Sequence, residues 1–240
     1  MRIDIVTLFP EMCENILNES IIGRARARGY LQVCCHQLRD HGEGVHKRVD
    51  DCTFGGGKGM LLMAQPIAKA FDEIIEQTAV RSHIVYMSPR GRVLDQEKVK
   101  ELAKNENIIV LCGHYEGVDE RVLEEYDVEE ISIGDFVLTG GELPAVILTD
   151  AVARMLPGVL SEDVCFEEES HYDGLLEYPQ YTRPSAWRGR EVPQVLLNGH
   201  HEKIKEWRRE QSLKVTQKAR PDLFEKAELT AEEKRAFGRK

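Results

Sequence analysis

Residues 132 to 145 read SIGDFVLTGGELPA, with three glycines (Gly134, Gly140, Gly141), two acids (Asp135, Glu142) and no lysine or arginine. A glycine-rich turn that opens an apolar helix commonly cradles phosphate, because free N–H groups and the helix dipole favour an anion. Here the acids would repel a triphosphate but accept a ligand that carries positive charge. Two further glycine turns, YMSPRGR (Tyr86 to Arg92) and LCGHYEG (Leu111 to Gly117), follow runs rich in Ile and Val. Glycine lets the backbone come close to a flat ring and offer N–H and C=O groups to its edge. Open α/β sheets bind ligands at such strand ends. S-adenosylmethionine, with adenine, ribose, sulfonium and ammonium, has the matching chemistry. Each turn alone also reads as an ordinary tight connection; the three together favour a site.

Other chemistries lack their residues. FGGGKGM (Phe54 to Met60) contains Gly57-Lys58, but Gly59 stands where a magnesium-holding Ser or Thr belongs and Cys52 replaces the first glycine of a phosphate loop. No G-x-G-x-x-G follows a strand, and neither G-x-S-x-G nor H-E-x-x-H occurs. This argues against an NTPase, a nicotinamide enzyme, a serine hydrolase and a zinc protease. The six cysteines (Cys13, Cys34, Cys35, Cys52, Cys112, Cys165) have no C-x-x-C spacing, so buried thiols are expected rather than disulfides or zinc ligands.

The elements that must position these turns alternate. RIDIVTLF, SHIVYMSP, NIIVLCGHY and VEEISIGD suit buried strands. AQPIAKAFDEIIEQ, DQEKVKELAKN and VDERVLEEY space their apolar residues as helices do. The pattern predicts an α/β domain with a largely parallel sheet. Leu143 to Leu156 reads as a helix apolar nearly all round, buried in a core or at an oligomer interface. SEDVCFEEESHYDG (Ser161 to Gly174) is acidic and weakly apolar, as a mobile linker is. The basic segments after it read as amphipathic helices. The predicted organisation is a sheet domain over 1–160, a linker over 161–175 and a helical domain over 176–240.

Charge divides the same way. Residues 1 to 180 hold 17 Lys+Arg against 33 Asp+Glu, a net −16, whereas residues 181 to 240 hold 15 against 9, a net +6. A cationic face of this kind recruits phosphates, although a solvated helical surface has the same composition. No run of about eighteen apolar residues occurs and no signal-like segment opens the chain, so a cytoplasmic protein without membrane contact is expected.

HKRVDDCTFGGGKGM, YMSPRGR, LCGHYEGVDERV, SIGDFVLTGGELPA, DAVARMLPGVL, DGLLEYPQYTRP and REVPQVLLNGHHEKIKEWR, in that order, resemble the signature segments of the bacterial tRNA (guanine-37-N1)-methyltransferases. The resemblance implies a SPOUT-class fold, a homodimer, and a cofactor site formed by a trefoil knot in the chain. It implies S-adenosylmethionine held by backbone atoms of Ile133, Gly134, Leu138, Gly140 and Gly141, with Tyr86, Met87, Ser88, Pro89, Gly113, Tyr115, Glu116, Ser132 and Pro144 around the rest. Arg90, Phe136 and Lys58 stand where the family often has Gln, Tyr and Pro. By the same resemblance Asp173 is the general base that removes the guanine N1 proton, and Arg154 stabilises charge on O6. Their alternative roles are a solvated D-G turn for Asp173 and an ion pair with Asp150 for Arg154. Glu116 is left between orienting the cofactor and holding a magnesium ion; no dedicated metal site is expected. Arg183, Arg188, Lys203, Arg208, Arg209, Lys214 and Lys218 would meet tRNA phosphates, with Trp187 and Trp207 read as core anchors ahead of base-stacking platforms. A non-catalytic RNA-binding protein and an RNA ribose methyltransferase are the competing readings.

Overall fold

The computed structural model describes residues 1–56, 59–78, 80–160 and 169–238, which fall into two compact units, Met1–Asp163 and Val164–Lys240. Gly57 and Lys58 of the GGGKG segment, and residues 161–168 of the expected linker with Cys165 among them, lie outside the described residues.

In the first unit β1 (Arg2–Thr7), β2 (Gln32–Gln37), β5 (Ser82–Val93), β6 (Asn107–Cys112) and β7 (Glu129–Ser132) form one sheet in the order β2-β1-β6-β5-β7, with every pairing parallel. Parallel strands need helical crossovers, and these cover both faces of the sheet. Alternate residues of one strand therefore enter two different cores. Ile108, Val110 and Cys112 join one cluster with α1 (Pro10–Leu17), α2 (Ser20–Ala27), α4 (Gln96–Leu102) and α6 (Glu142–Ala153). Ile109 and Leu111 join the other with α3 (Ala64–Thr78) and α5 (Glu120–Glu125). That double burial is why NIIVLC is apolar at nearly every position. Asp4 on β1 is fully buried, and it is bonded by Arg2 at 2.8 Å and by His36 at 2.7 Å. Short strands β3 (Asp50–Cys52) and β4 (Met60–Leu62) make a separate antiparallel pair.

The α6 helix does not bury its whole surface. Ala145, Leu148 and Val152 are in the core, but Leu143 and Ile147, one turn apart, are 43% and 48% exposed. Phe9, Met12 and Ile16, on and just before the neighbouring α1, are similarly open.

The second unit has an antiparallel hairpin, β8 (Ala186–Trp187) and β9 (Arg190–Glu191), which periodicity alone did not reveal. It continues with α7 (Gln194–Leu197), α8 (His201–Ala219), α9 (Pro221–Lys226) and α10 (Ala231–Ala236). Its core is small, formed by Leu175, Leu213, Phe224 and Leu229. Residues 170–176, at the described end of the expected linker, are folded onto α8: Leu176 N–H donates to Thr216 Oγ1 at 2.9 Å, and Leu175 is buried.

At the edge strand β7 the Lys98 ammonium, 4% exposed, lies 2.6 Å from Glu129 and 2.8 Å from Glu101, and Glu129 also meets His83 at 2.8 Å. Burial opposes the Lys98 charge, but its bonds to Glu101 and Glu129 prevail and hold its pKa above the ordinary lysine value. Glu129→Ala leaves this buried cation with one partner. Chemical denaturation is expected to show a loss of about 2 kcal/mol in unfolding free energy, because removing one member of a buried charged bond exposes the other's desolvation cost.

Candidate functional site

The three glycine turns come together at the carboxyl ends of β5, β6 and β7, around a cleft of about 250 Å3. Tyr86, Met87, Ser88 and Pro89 line it from β5, residues 113–117 from the loop after β6, and Ile131, Ser132, Ile133, residues 136–141 and Pro144 from β7 and the turn into α6. Every residue expected to hold the cofactor therefore lines the cleft except Gly134. That glycine, at φ 141°, shapes the turn from behind: a Cβ there would lie 2.8 Å from the Phe136 ring. Ser132 fixes the same turn, its hydroxyl donating to Gly134 O at 3.0 Å and accepting from Gly134 N–H at 3.1 Å.

Two glycines are required by space and not by conformation. Gly141 has φ −84° and ψ −3°, ordinary helical values. Yet a Cβ on it would fall 2.7 Å from Cys112 Cα and 2.8 Å from Gly113 N, while its own N–H donates to Gly113 O at 2.9 Å. The backbones of two loops thus touch directly. Next to it, a Cβ on Gly140 would collide with Glu142 Oε2 and His114 Nδ1. Across the cleft the Tyr86 ring, 7% exposed, packs on Gly113, and burial raises its phenol pKa.

Among the described residues the lining contains one charged side chain, Glu116, and no lysine or arginine. A second carboxylate, Glu142, is buried at the start of α6 and accepts a hydrogen bond from Thr7 Oγ1 at 2.7 Å. The nearby Arg90 is committed elsewhere, bridging Glu120 and Glu130 at 3.0 Å each. Among the described residues phosphate binding has no cation to rest on here. The last glycine of GGGKG also has a local task. Gly59, at φ 97°, leaves room for Glu116, whose Oε1 would lie 2.5 Å from a Cβ at that position. Among the described residues no three His, Cys, Asp or Glu side chains gather as a metal-ligand set.

His114 and Glu142 were not among the expected site residues, although both stand inside the quoted motifs. His114 lines the cleft with its Nδ1 buried and unbonded, its ring edge-on to Phe9 and Tyr115. The bond that positions Glu142 spans 135 residues of sequence, and no local pattern announces it.

The expected catalytic pair is divided between the units. Arg154 caps the C-terminus of α6, its backbone N–H bonded to Asp150 O at 3.2 Å. Asp173 is in the second unit, in a turn between His171 and Leu175: its Oδ1 accepts from Leu175 N–H at 3.2 Å, and its Oδ2 lies 3.9 Å from Arg209. Of the expected phosphate contacts, Arg209 is tied to Glu233 at 2.8 Å and Lys214 to Glu210 at 2.6 Å, Arg208 stacks over Tyr178, and Arg183, Arg188, Lys203 and Lys218 are exposed. Trp207 is half-buried beside Tyr178 and Tyr181, as an anchor should be. Trp187 is not an anchor: it is 59% exposed on the β8–β9 hairpin, where every residue from 181 to 191 is open to solvent.

Comparison with known proteins gives a consistent result. Residues 1–226 match the family described as tRNA (Guanine-1)-methyltransferase TrmD. The tRNA (guanine-N(1)-)-methyltransferase of Ruminiclostridium cellulolyticum is 54% identical over 226 residues, covering 94% of this chain and 97% of the relative. The proteins of that name from Alkaliphilus oremlandii and Clostridium perfringens are 52% and 49% identical over 235 and 233 residues, covering 96% and 97% of this chain and 94% and 97% of the relatives.

Gly141→Ala isolates the backbone contact, since alanine is at ease with these dihedral angles and only the space forbids it. Denaturant titration is expected to show a loss of about 1–3 kcal/mol, the usual cost of forcing a methyl group into a packed site.

Proposed function

The chain belongs to the tRNA (guanine-1)-methyltransferase family, and on that premise we propose that its cleft binds S-adenosylmethionine and that its product is N1-methylguanine at position 37 of tRNA, beside the anticodon. The observation that carries this reading is the lining itself: glycine backbones for a flat ring, one exposed carboxylate, a second carboxylate behind the wall, and no cation among the described residues. Such a lining fits an adenosine with a sulfonium and an ammonium and rejects a nucleoside triphosphate. When bound, the sulfonium supplies an electrophilic methyl group.

The protein's own residues must solve the other half of the reaction. Guanine N1 carries a proton at neutral pH, so its lone pair becomes available only when a base removes that proton. Asp173 is the candidate base and Arg154 the group that stabilises negative charge developing on O6. Glu116, the only formal charge in the lining, is assigned to orienting the ligand's cationic end rather than to a magnesium ion. Asp173 also closes a turn through Oδ1. Glu169, four residues earlier, whose backbone O accepts from Tyr172 N–H at 3.4 Å, is the second carboxylate to be weighed.

The remaining family features find support of different kinds. Direct contact between the loops after β6 and β7 is what a trefoil-knotted cofactor site requires. The open apolar row of Phe9, Met12, Ile16, Leu143 and Ile147 suits burial against a second copy, because monomers seldom leave such a patch in water. In this reading the acidic residues 1–160 carry the cofactor and the dimer contact, 161–175 connect, and the basic residues 176–240 bind tRNA. Among the described residues no helix is long and apolar enough to cross a membrane, and the proposed place of action is the cytoplasm, where tRNA is modified.

The reading is tested by incubating the protein with methyl-labelled S-adenosylmethionine and an unmodified tRNA transcript, then mapping the labelled nucleotide. Label at N1 of guanine 37 is expected; label on a ribose, or on another base, overturns it. Asp173→Asn keeps the acceptor for Leu175 N–H and removes the base, so the methylation rate is expected to fall at least 100-fold with cofactor affinity unchanged. Near-normal activity in that variant, together with its loss in Glu169→Gln, would transfer the role to Glu169. Ile147→Glu is expected to convert the dimer into monomer in analytical ultracentrifugation; an unchanged sedimentation coefficient would remove α6 from the interface.

A further inference from the structure

The β8–β9 hairpin has a composition that its own fold does not explain. Residues 181–191 are all exposed, and within them stand Trp187, Arg183, Arg188 and Arg190 against a single acid, Glu191. The hairpin is closed by Trp187 paired with Arg190 and by Val192 N–H bonded to Ser185 O at 2.9 Å. Its two-residue turn, Arg188-Gly189, has φ +50° and +76°, the left-handed pair that matches strand twist in a tight hairpin. Glycine adopts this freely. Arginine does so at some cost, and here the conformation places its guanidinium over the Trp187 ring, 4.8 Å from the centroid.

Trp187 nevertheless remains 59% exposed, and among the described residues no carboxylate pairs with Arg183, Arg188 or Arg190. Elsewhere in the same unit Arg209, Lys214 and Arg220 are each tied to an acid within 2.8 Å. The hairpin therefore holds a preformed aromatic surface surrounded by uncommitted cations. A large apolar ring in water commonly marks a contact site. A symmetric contact with a second copy would set these arginines against themselves, since a two-fold interface brings each patch onto its own image. A polyanion with flat, unpaired rings satisfies both features: aromatic side chains stack on bases, and arginines meet the flanking phosphates.

We propose that the Trp187–Arg188 hairpin is a stacking platform for an unpaired base of the RNA substrate, with Arg183 and Arg190 on the neighbouring phosphates. This rests on the tRNA reading above and adds a neutral, base-stacking contact to a surface otherwise expected to work through charge alone.

The experiment measures binding of unmodified tRNA transcript to the full chain by fluorescence anisotropy across a salt series, for wild type, Trp187→Ala, Trp187→Phe and Arg190→Gln. Trp187→Ala is expected to weaken binding about tenfold, the usual loss for one stacked base, without changing the slope of log affinity against log salt. Trp187→Phe retains most of the affinity, and Arg190→Gln lowers the slope by about one unit because one phosphate contact is lost. Affinity of Trp187→Ala within twofold of wild type overturns the platform while leaving the tRNA reading intact. A loss that sedimentation traces to a dissociated dimer overturns it too, by making Trp187 a contact between copies. Absence of salt-dependent tRNA binding by the wild type would remove the tRNA reading, and the platform with it.

Discussion

The first unit depends on one close approach, the contact between Gly141 and the backbone at Cys112 and Gly113. With 2.7 Å between a hypothetical Cβ and Cys112 Cα, nothing larger than hydrogen fits, and the N–H of Gly141 uses that proximity to bond Gly113 O. The turn into α6 is thereby fixed against the end of β6. Its other attachments follow: Glu142 is carried to Thr7 at the end of β1, and Gly140 pairs with His114. The cleft is the space that remains when these loops are held so tightly, and four glycines, Gly113, Gly117, Gly140 and Gly141, are part of its lining.

This construction bears on what the cleft can recognise. A wall of backbone groups reads the edge of a ring by hydrogen bonds in fixed directions, and it needs few side chains to do so. Charge then decides the class of ligand. Glu116 in the lining and Glu142 behind it set a negative local potential, and Arg90, next in sequence to the lining residue Pro89, is held by Glu120 and Glu130. The net positive charge of the chain lies in residues 181–240. In the proposed reading cofactor chemistry and polyanion binding are thus separated along the chain, a division that suits an enzyme whose two substrates carry opposite charge.

Much of this was legible in the sequence, for reasons that differ by element. Strands buried on both faces, such as NIIVLC, advertise themselves by unbroken apolar runs, and the glycine turns by their position after those runs. The edge strand QVCCHQ did not, because only Val33 in it is fully buried and its cysteines, histidine and glutamines give no period. GGGKG resembles a phosphate loop, but Gly59 answers to the bulk of Glu116, a neighbour set by tertiary structure. Trp187 was expected inside because tryptophan is large and apolar. Its place is settled by a two-residue turn that lifts it off any core, and a propensity cannot register that. The link from Thr7 to Glu142 is long-range and belongs to the same class of hidden information.

The central claim is that a glycine-lined cleft without a cation among the described residues selects S-adenosylmethionine. Isothermal titration calorimetry of the wild-type protein with S-adenosylmethionine and with ATP, each at two salt concentrations, tests it most directly. The account predicts one S-adenosylmethionine per chain, bound with an affinity that changes little with salt, and no measurable heat from ATP in the same cleft. ATP binding that competes with S-adenosylmethionine and weakens as salt rises would contradict it.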